Sequence, residues 1–246
     1  MDEEVTVRYS WSLLLLLLLA VLAGCSSTPP APTATPVPTP TPRELGVAIG
    51  QATQAAESAH FTIDLSGKPI MVSAFTLTRI EGDLKRPDSV LAILTVATGS
   101  TVAEIRTASV AGTQYMTNPL TREWGCLAEG DGFNPAVLFD PQVGIEQLLQ
   151  NGFDEVTLVG TEDLNGVASY HLRGSMSGEK LLPISMGMLG TGPVTVDLWA
   201  DQATMRATKM VLVDTASDAT NPTTWTLTFS DYGKMVDVRA PVECAN

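Results

Sequence analysis

The chain has 246 residues and a formal net charge of −13, with 27 acidic side chains against 14 lysines and arginines. This charge argues against nucleic-acid binding, which needs a basic surface, and against docking on anionic lipid by charge alone. Once the N-terminal segments described next are set aside, the remaining length suits one domain.

An apolar run at residues 13–22 predicts an export signal. Its ten residues are too few to span a bilayer, which takes about 20, but they match the apolar core of a secretory signal. Ala23 and Gly24 then lead into Cys25, and Leu-Ala-Gly-Cys resembles a bacterial lipobox. We therefore expect residues 1–24 to be removed and Cys25 to be acylated, for example with palmitate. A signal cut elsewhere or an uncleaved anchor is the alternative.

A proline-rich linker follows the cysteine, at residues 25–42. Seven of the 17 residues from Ser26 to Pro42 are proline, which favours an extended polyproline II chain. At about 3.1 Å per residue, such a linker reaches roughly 50 Å. The predicted arrangement is a folded domain at 43–246, held by its lipid anchor on the extracytoplasmic face of the cell membrane.

The folded part begins with a predicted helix at 43–59. Its apolar face is narrow and built mostly of small residues: Leu45, Ala48, Ile49, Ala52 and Ala56. The pattern then changes to alternation, which is typical of strands. These strands are expected at about 60–67, 71–80, 89–97, 102–110 and 112–117.

Two inserts interrupt the strands, one at 124–152 and an apolar one at 181–193. Strands resume after the first as hairpins, which turn at Asn165-Gly166, at 201–204 and near 231–234. The total is ten or eleven antiparallel strands. The predicted fold class is α+β: a strongly curved antiparallel sheet, or half-barrel, with helices covering its concave face.

Four segments occur in the order seen in the LppX/LprAFG-type cell-envelope lipoproteins, and the chain resembles that family from about residue 45 to 241. The segments are FNPAVLFDPQVGIEQLL, VTLVGTEDLNGVASYHLRG, VTVDLWADQATMRATKMVLV and FSDYGKMVDVRAP. The resemblance implies a LolA-like half-barrel that carries acylated lipids or glycolipids between sheet and helices. The proline-threonine linker and the cysteines at 126 and 244 depart from the family pattern.

If such a cavity exists, apolar side chains from the two inserts are the candidates to line it. They are Val137, Leu138, Phe139, Leu148 and Leu149 from the first insert, and Leu181, Leu182, Ile184, Met186, Met188 and Leu189 from the second. Ordinary core packing is the alternative for each of them. The glycines at 187, 190 and 192 would let the second insert move as a lid, or are plain turns.

The two remaining cysteines, Cys126 and Cys244, can form a disulfide in an exported protein, and two buried thiols are the alternative. We expect no enzyme. His60 and His171 fall on separate elements, and the S-x-x-K match at 177–180 lacks its companion motifs.

No cofactor or metal is predicted either. The expected partners are membrane lipids or lipoglycans as cargo, the membrane through Cys25, and an envelope transporter as a candidate protein partner. The alternative function is an envelope sensor or assembly factor that binds a protein or peptide and carries no lipid.

Overall fold

The computed structural model describes residues 40–72, 74–128, 131 and 134–244. The predicted signal peptide, Cys25 and most of the linker lie outside these residues. Within them the chain forms three α-helices, one 3-10 helix and twelve strands. No helix in this described part is long and apolar enough to cross a membrane.

The helices are few and short, and the strands make up most of the domain. The helices are α1 (Pro42–Gln54), a 3-10 helix (Pro135–Phe139), α2 (Ile145–Asn151) and α3 (Gly178–Ser185). The strands are β1 (Ser58–Ser66), β2 (Ile70–Val72), β3 (Phe75–Lys85), β4 (Ser89–Thr98), β5 (Thr101–Val110), β6 (Thr113–Thr117), β7 (Trp124–Cys126), β8 (Glu155–Leu164), β9 (Val167–Ser177), β10 (Pro193–Asp201), β11 (Ala207–Asp214) and β12 (Thr223–Ser230).

One open antiparallel sheet contains all twelve strands, in the order β7-β6-β5-β4-β3-β1-β12-β11-β10-β9-β8, with β2 added on β3. This confirms the predicted half-barrel. Strands β7 and β8 follow each other in sequence but form opposite edges of the sheet. The connection between them, residues 127–154, must therefore cross the sheet, and it carries the 3-10 helix and α2 over the buried face.

The sheet has one buried face, which is why more and less buried residues alternate along its strands. In β4, β10 and β12, buried residues alternate with half-buried ones along nearly the whole strand. Trp225, Phe61 and Ile63 are among the largest side chains that this face buries completely. The predicted turn at Asn165-Gly166 is confirmed, since both residues have the positive φ that a tight two-residue hairpin requires.

The buried face of α1 differs from the prediction. Leu45 and Ile49 are buried as expected, but the residues buried beside them are Gly46, Gly50 and Thr53. Ala48 and Ala52 are only half-buried. The reason is that the glycine side of α1 packs on another helix, as described below.

The predicted last hairpin, turning near 231–234, is wrong. Strand β12 ends at Ser230, and residues 231–244 form no strand. Strand β12 already pairs with β1 on one side and β11 on the other, so no free edge remains for a further strand. The C-terminal tail instead passes the start of β1, where the Gly233 N–H donates to the Ser58 carbonyl over 2.9 Å.

The strand ends form two rims that differ in chemistry. The rim we call the Arg86 rim contains the β3–β4 turn with Arg86, the start of β1 and the C-terminal tail. The opposite rim, the Met186 rim, contains α3 with the following Met186, the start of α1, and the β2–β3, β4–β5 and β6–β7 turns.

Candidate functional site

The space between the sheet and the helices is the candidate site, and it is apolar. Seven of the eleven predicted lining residues are buried in a single hydrophobic core with the sheet: Leu138, Phe139, Leu148, Leu149, Leu181, Ile184 and Leu189. Met188 and Val137 are half-buried, whereas Leu182 and Met186 are each 49% exposed. The structure thus brings most of both inserts together. That they line a cargo cavity remains a prediction.

Helices α1 and α2 lie unusually close to each other. A Cβ atom added at Gly50 would stand 2.7 Å from the Glu146 carbonyl oxygen, and one at Gly46 would stand 3.1 Å from that of Leu149. Only glycine permits this approach without displacing α2. The apolar face predicted from the sequence did not include these two positions. Glycines spaced four apart in a helix were the signal that could have found them.

A buried ion pair closes the Arg86 rim. The Arg86 guanidinium contacts the Glu146 carboxylate, which is 1% exposed, and also donates to the carbonyl oxygens of Ala56 (3.0 Å) and Phe139 (3.2 Å). Burial raises the pKa of Glu146, and the nearby Arg86 charge partly offsets this rise. The pair ties β3–β4, α1, the 3-10 helix and α2 together. Sequence reasoning missed it, because 60 residues separate the partners.

Tyr232 closes the same rim from the C-terminal tail. Its hydroxyl donates to the Ala207 carbonyl over 2.7 Å, and burial raises the pKa of this phenol strongly. The crevice left between Tyr232, Arg86 and Phe139 is too narrow to admit a water molecule. Opening this end would break the contact of Arg86 with Glu146 and the Arg86 hydrogen bonds to two carbonyl oxygens, so we expect it to stay shut.

The Met186 rim is closed mainly by apolar contacts. Helix α3 holds Leu181 and Ile184 against the core, and Leu189 follows in the next segment. The helix ends in a left-handed turn, with φ of 48° at Met186 and 76° at Gly187. The segment beyond is fixed by Asp214, whose carboxylate accepts the Gly190 N–H over 2.8 Å.

Two details weaken the closed position of α3. Pro183 lies inside it and has no N–H to donate. The buried hydroxyl of Ser185 has no hydrogen-bond partner among the described residues. An unpaired buried hydroxyl destabilises the closed position of the helix.

The residues considered for catalysis do not form a catalytic group. His60, on β1, lies 2.9 Å from Asp83. His171 lies on β9, several strands away from His60, and is 2.6 Å from Asp197. The Ser177 hydroxyl caps α3 by accepting the Glu179 N–H, while Lys180 pairs with Asp154 and not with that serine. Within the described residues, no three His, Cys, Asp or Glu side chains are grouped to hold a metal ion.

The LppX_LprAFG lipoprotein family matches residues 41–238 of the chain. Among individual proteins, the lipoarabinomannan carrier protein LprG of Mycolicibacterium smegmatis is 26% identical over 196 residues, covering 77% of this chain and 78% of LprG. Lipoprotein LprA of Mycobacterium tuberculosis is 27% identical over 215 residues, covering 81% of this chain and 82% of LprA.

Two crystal structures have the same fold. LprF from Mycobacterium bovis superimposes with a TM-score of 0.64 at 15% identity, covering 83% of this chain and all of that one. LppX from Mycobacterium tuberculosis superimposes with a TM-score of 0.57 at 14% identity, covering 79% and 97%. At these identities the likeness concerns the fold alone.

Proposed function

Because this chain belongs to the LppX_LprAFG lipoprotein family, we propose that it binds acylated lipids or glycolipids between its sheet and helices and transfers them within the cell envelope. The family consists of lipid-binding carriers and not of enzymes. The relative LprG is named a lipoarabinomannan carrier, which supports a lipoglycan as cargo. The lipobox pattern at Cys25 supports an anchored carrier that works beside the membrane.

The observation that carries this proposal is the continuous apolar layer between the concave face of the sheet and the helices. Each methylene moved out of water gains about 0.8 kcal/mol, so a chain of about 16 carbons gains on the order of 12 kcal/mol before entropic costs. No hydrogen bond is needed to hold such a chain. An acyl chain can therefore compete with the protein's own side chains for this layer.

The side chains that an acyl chain would displace are those of the α3 segment. Uncovering Leu181, Ile184 and Leu189 costs about 5–9 kcal/mol at about 1.5–3 kcal/mol each, which is less than one long acyl chain gains. The Arg86 rim offers no such exchange, since its contacts are ionic and buried. The α3 segment is thus the lid in this proposal, and the cargo enters at the Met186 rim.

Replacing Leu181 with alanine should speed cargo exchange about tenfold, because a lid with weaker packing is open for a larger fraction of the time. The readout is the rate at which a pyrene-labelled diacyl phospholipid moves from donor vesicles into the protein.

The matched control for this change is Leu198→Ala, on β10. Leu181 and Leu198 are both fully buried leucines of the same core, so each change should lower global stability by about 2–5 kcal/mol. Only Leu181 lies in the lid. Equal exchange rates in the two variants would contradict the role of α3, and no transfer by the parent chain would contradict the carrier function.

A further inference from the structure

The exposed apolar side chains of the domain are concentrated at one rim. Ten large apolar side chains are exposed in the described part of the chain, and six of them lie at the Met186 rim: Met71, Val72, Val102, Leu120, Leu182 and Met186. They lie in or directly beside four separate connections, β2–β3, β4–β5, β6–β7 and β9–β10. Leu120, at the β6–β7 turn, is 91% exposed. Soluble surfaces rarely concentrate such side chains without a partner.

The linker enters the domain at the same rim. Helix α1 begins there, with Thr41 and Glu44 forming a capping box that fixes the entry of the chain. The Arg43 guanidinium then donates to the Phe153 carbonyl oxygen over 3.2 Å, which ties this end of α1 to the approach to β8. The start of the domain therefore lies at this rim, where Asp154 also contacts Lys180 of α3, and not at the opposite end of the domain.

A surface pocket of about 160 Å³ adds positive charge at this rim. It lies between the middle of β5 and the β6–β7 turn, and is lined by Glu104, Arg106, Thr117, Arg122 and Trp124. Every other arginine of the described residues has an ion-pair, hydrogen-bond or ring partner for its guanidinium. Arg106 and Arg122 have none there. A guanidinium pair beside an indole suits the phosphate layer of a bilayer, where tryptophan is enriched.

We propose that the Met186 rim is the surface by which the domain docks on the lipid bilayer. Its apolar turns enter the headgroup region, and Arg106 and Arg122 meet lipid phosphates. The net negative charge of the chain opposes adsorption to an anionic membrane, so docking depends on these local features. The inference rests on the proposed function, which places the domain beside a membrane. It adds which surface of the domain meets the bilayer, and that the lid lies at this surface.

Vesicle flotation tests this surface. The chain from residue 26 to 246 lacks Cys25 and cannot be acylated there, so any binding comes from the domain and linker. The vesicles are phosphatidylcholine alone, or phosphatidylcholine with 30% phosphatidylglycerol. We expect the rim variant Met71→Ser/Val102→Ser/Leu120→Ser, whose three residues lie outside the α3 lid, to lower partitioning about tenfold on both. The variant Arg106→Gln/Arg122→Gln should lose about tenfold on the anionic vesicles and less on phosphatidylcholine alone, where the phosphates carry no net negative lipid charge with them.

A matched variant controls for exposed apolar area as such. Val159, Val167 and Met235 are exposed to a comparable total extent but lie away from the Met186 rim. Changing these three to serine should leave flotation unchanged. Equal losses in the rim and matched variants, a rim variant that floats like the parent, or a parent that does not float would each overturn the proposal.

The same chains examined for bound lipid separate this proposal from the carrier function. A rim variant that floats poorly but still holds cargo supports docking by the rim. Rim-dependent flotation by chains that never hold lipid would leave docking standing and remove the carrier function.

Discussion

Replacing Arg86 with methionine should lower the free energy of unfolding by about 3–5 kcal/mol, because it leaves the Glu146 carboxylate buried without its partner. Glu146 is 1% exposed, and one of its oxygens already has no hydrogen-bond partner among the described residues. The change also removes the guanidinium bonds to the Ala56 and Phe139 carbonyls, which hold α1 and the 3-10 helix at this rim. Urea unfolding at neutral pH measures the loss.

The double variant Arg86→Met/Glu146→Leu is the control for this prediction. It removes both charges, so it should regain most of the lost stability, since apolar pairs often replace buried ion pairs without loss. A single variant that costs under about 1 kcal/mol, or a double variant no more stable than the single one, would contradict an Arg86 rim closed by this pair.

The defect of Arg86→Met should also depend on pH. In the folded protein, burial holds the pKa of Glu146 above its ordinary value, although the Arg86 charge offsets part of this rise. Without Arg86 the folded-state pKa rises further above the unfolded one. Stability is then highest below the unfolded pKa and falls as pH rises through the folded value. The variant should therefore recover on acidification, whereas Arg86→Met/Glu146→Leu should not show this dependence.

Removing the disulfide should lower the free energy of unfolding by about 4–5 kcal/mol, and the melting temperature by roughly 10 °C or more. Cys126 and Cys244 are bonded across 118 residues of sequence, joining edge strand β7 to the C-terminal tail. A loop of this length leaves the unfolded chain much freer once the bond is gone. The variant Cys126→Ser/Cys244→Ser, compared with the parent by calorimetry, measures the effect.

Reductant supplies the control for the disulfide. It should lower the melting temperature of the parent to about that of the double-serine variant and leave the variant unchanged. Cargo exchange at low temperature should be similar in both, because the tail runs along the Arg86 rim and the lid lies at the other. A melting temperature that neither serine nor reductant changes would show that the bond does not form.

The alternation of apolar and polar residues, together with the turn residues, predicted most of the fold. Most strands up to β6, the Asn165-Gly166 hairpin and the curved sheet follow from patterns that are local in the sequence. The exception is the single strand predicted at 71–80, where the chain forms β2 and β3 with a turn between them. Strand order does not, because pairing of β1 with β12 joins residues that lie 158 to 170 positions apart. The hairpin predicted to turn near 231–234 required a further strand after the turn, and that strand cannot form because both edges of β12 are occupied.

The candidate site was predictable as a set of apolar residues but not as a geometry. Both inserts could be identified from their aliphatic content, and the structure buries most of their side chains in one core. Which of them remain exposed, as Leu182 and Met186 do, depends on how α3 lies at the rim. The ion pair of Arg86 with Glu146 and the pocket of Arg106 and Arg122 combine residues from separate elements, so no local pattern indicates them.

Native mass spectrometry of the chain from residue 26 to 246, secreted into an oxidising compartment, tests the carrier function most directly. We predict discrete added masses that disappear when the same sample is denatured and that prove to be acylated lipids. An unliganded mass that stays unchanged after incubation with membrane extract would contradict the carrier function. It would mean that the apolar layer between sheet and helices is a filled core, and would favour an envelope sensor or assembly factor.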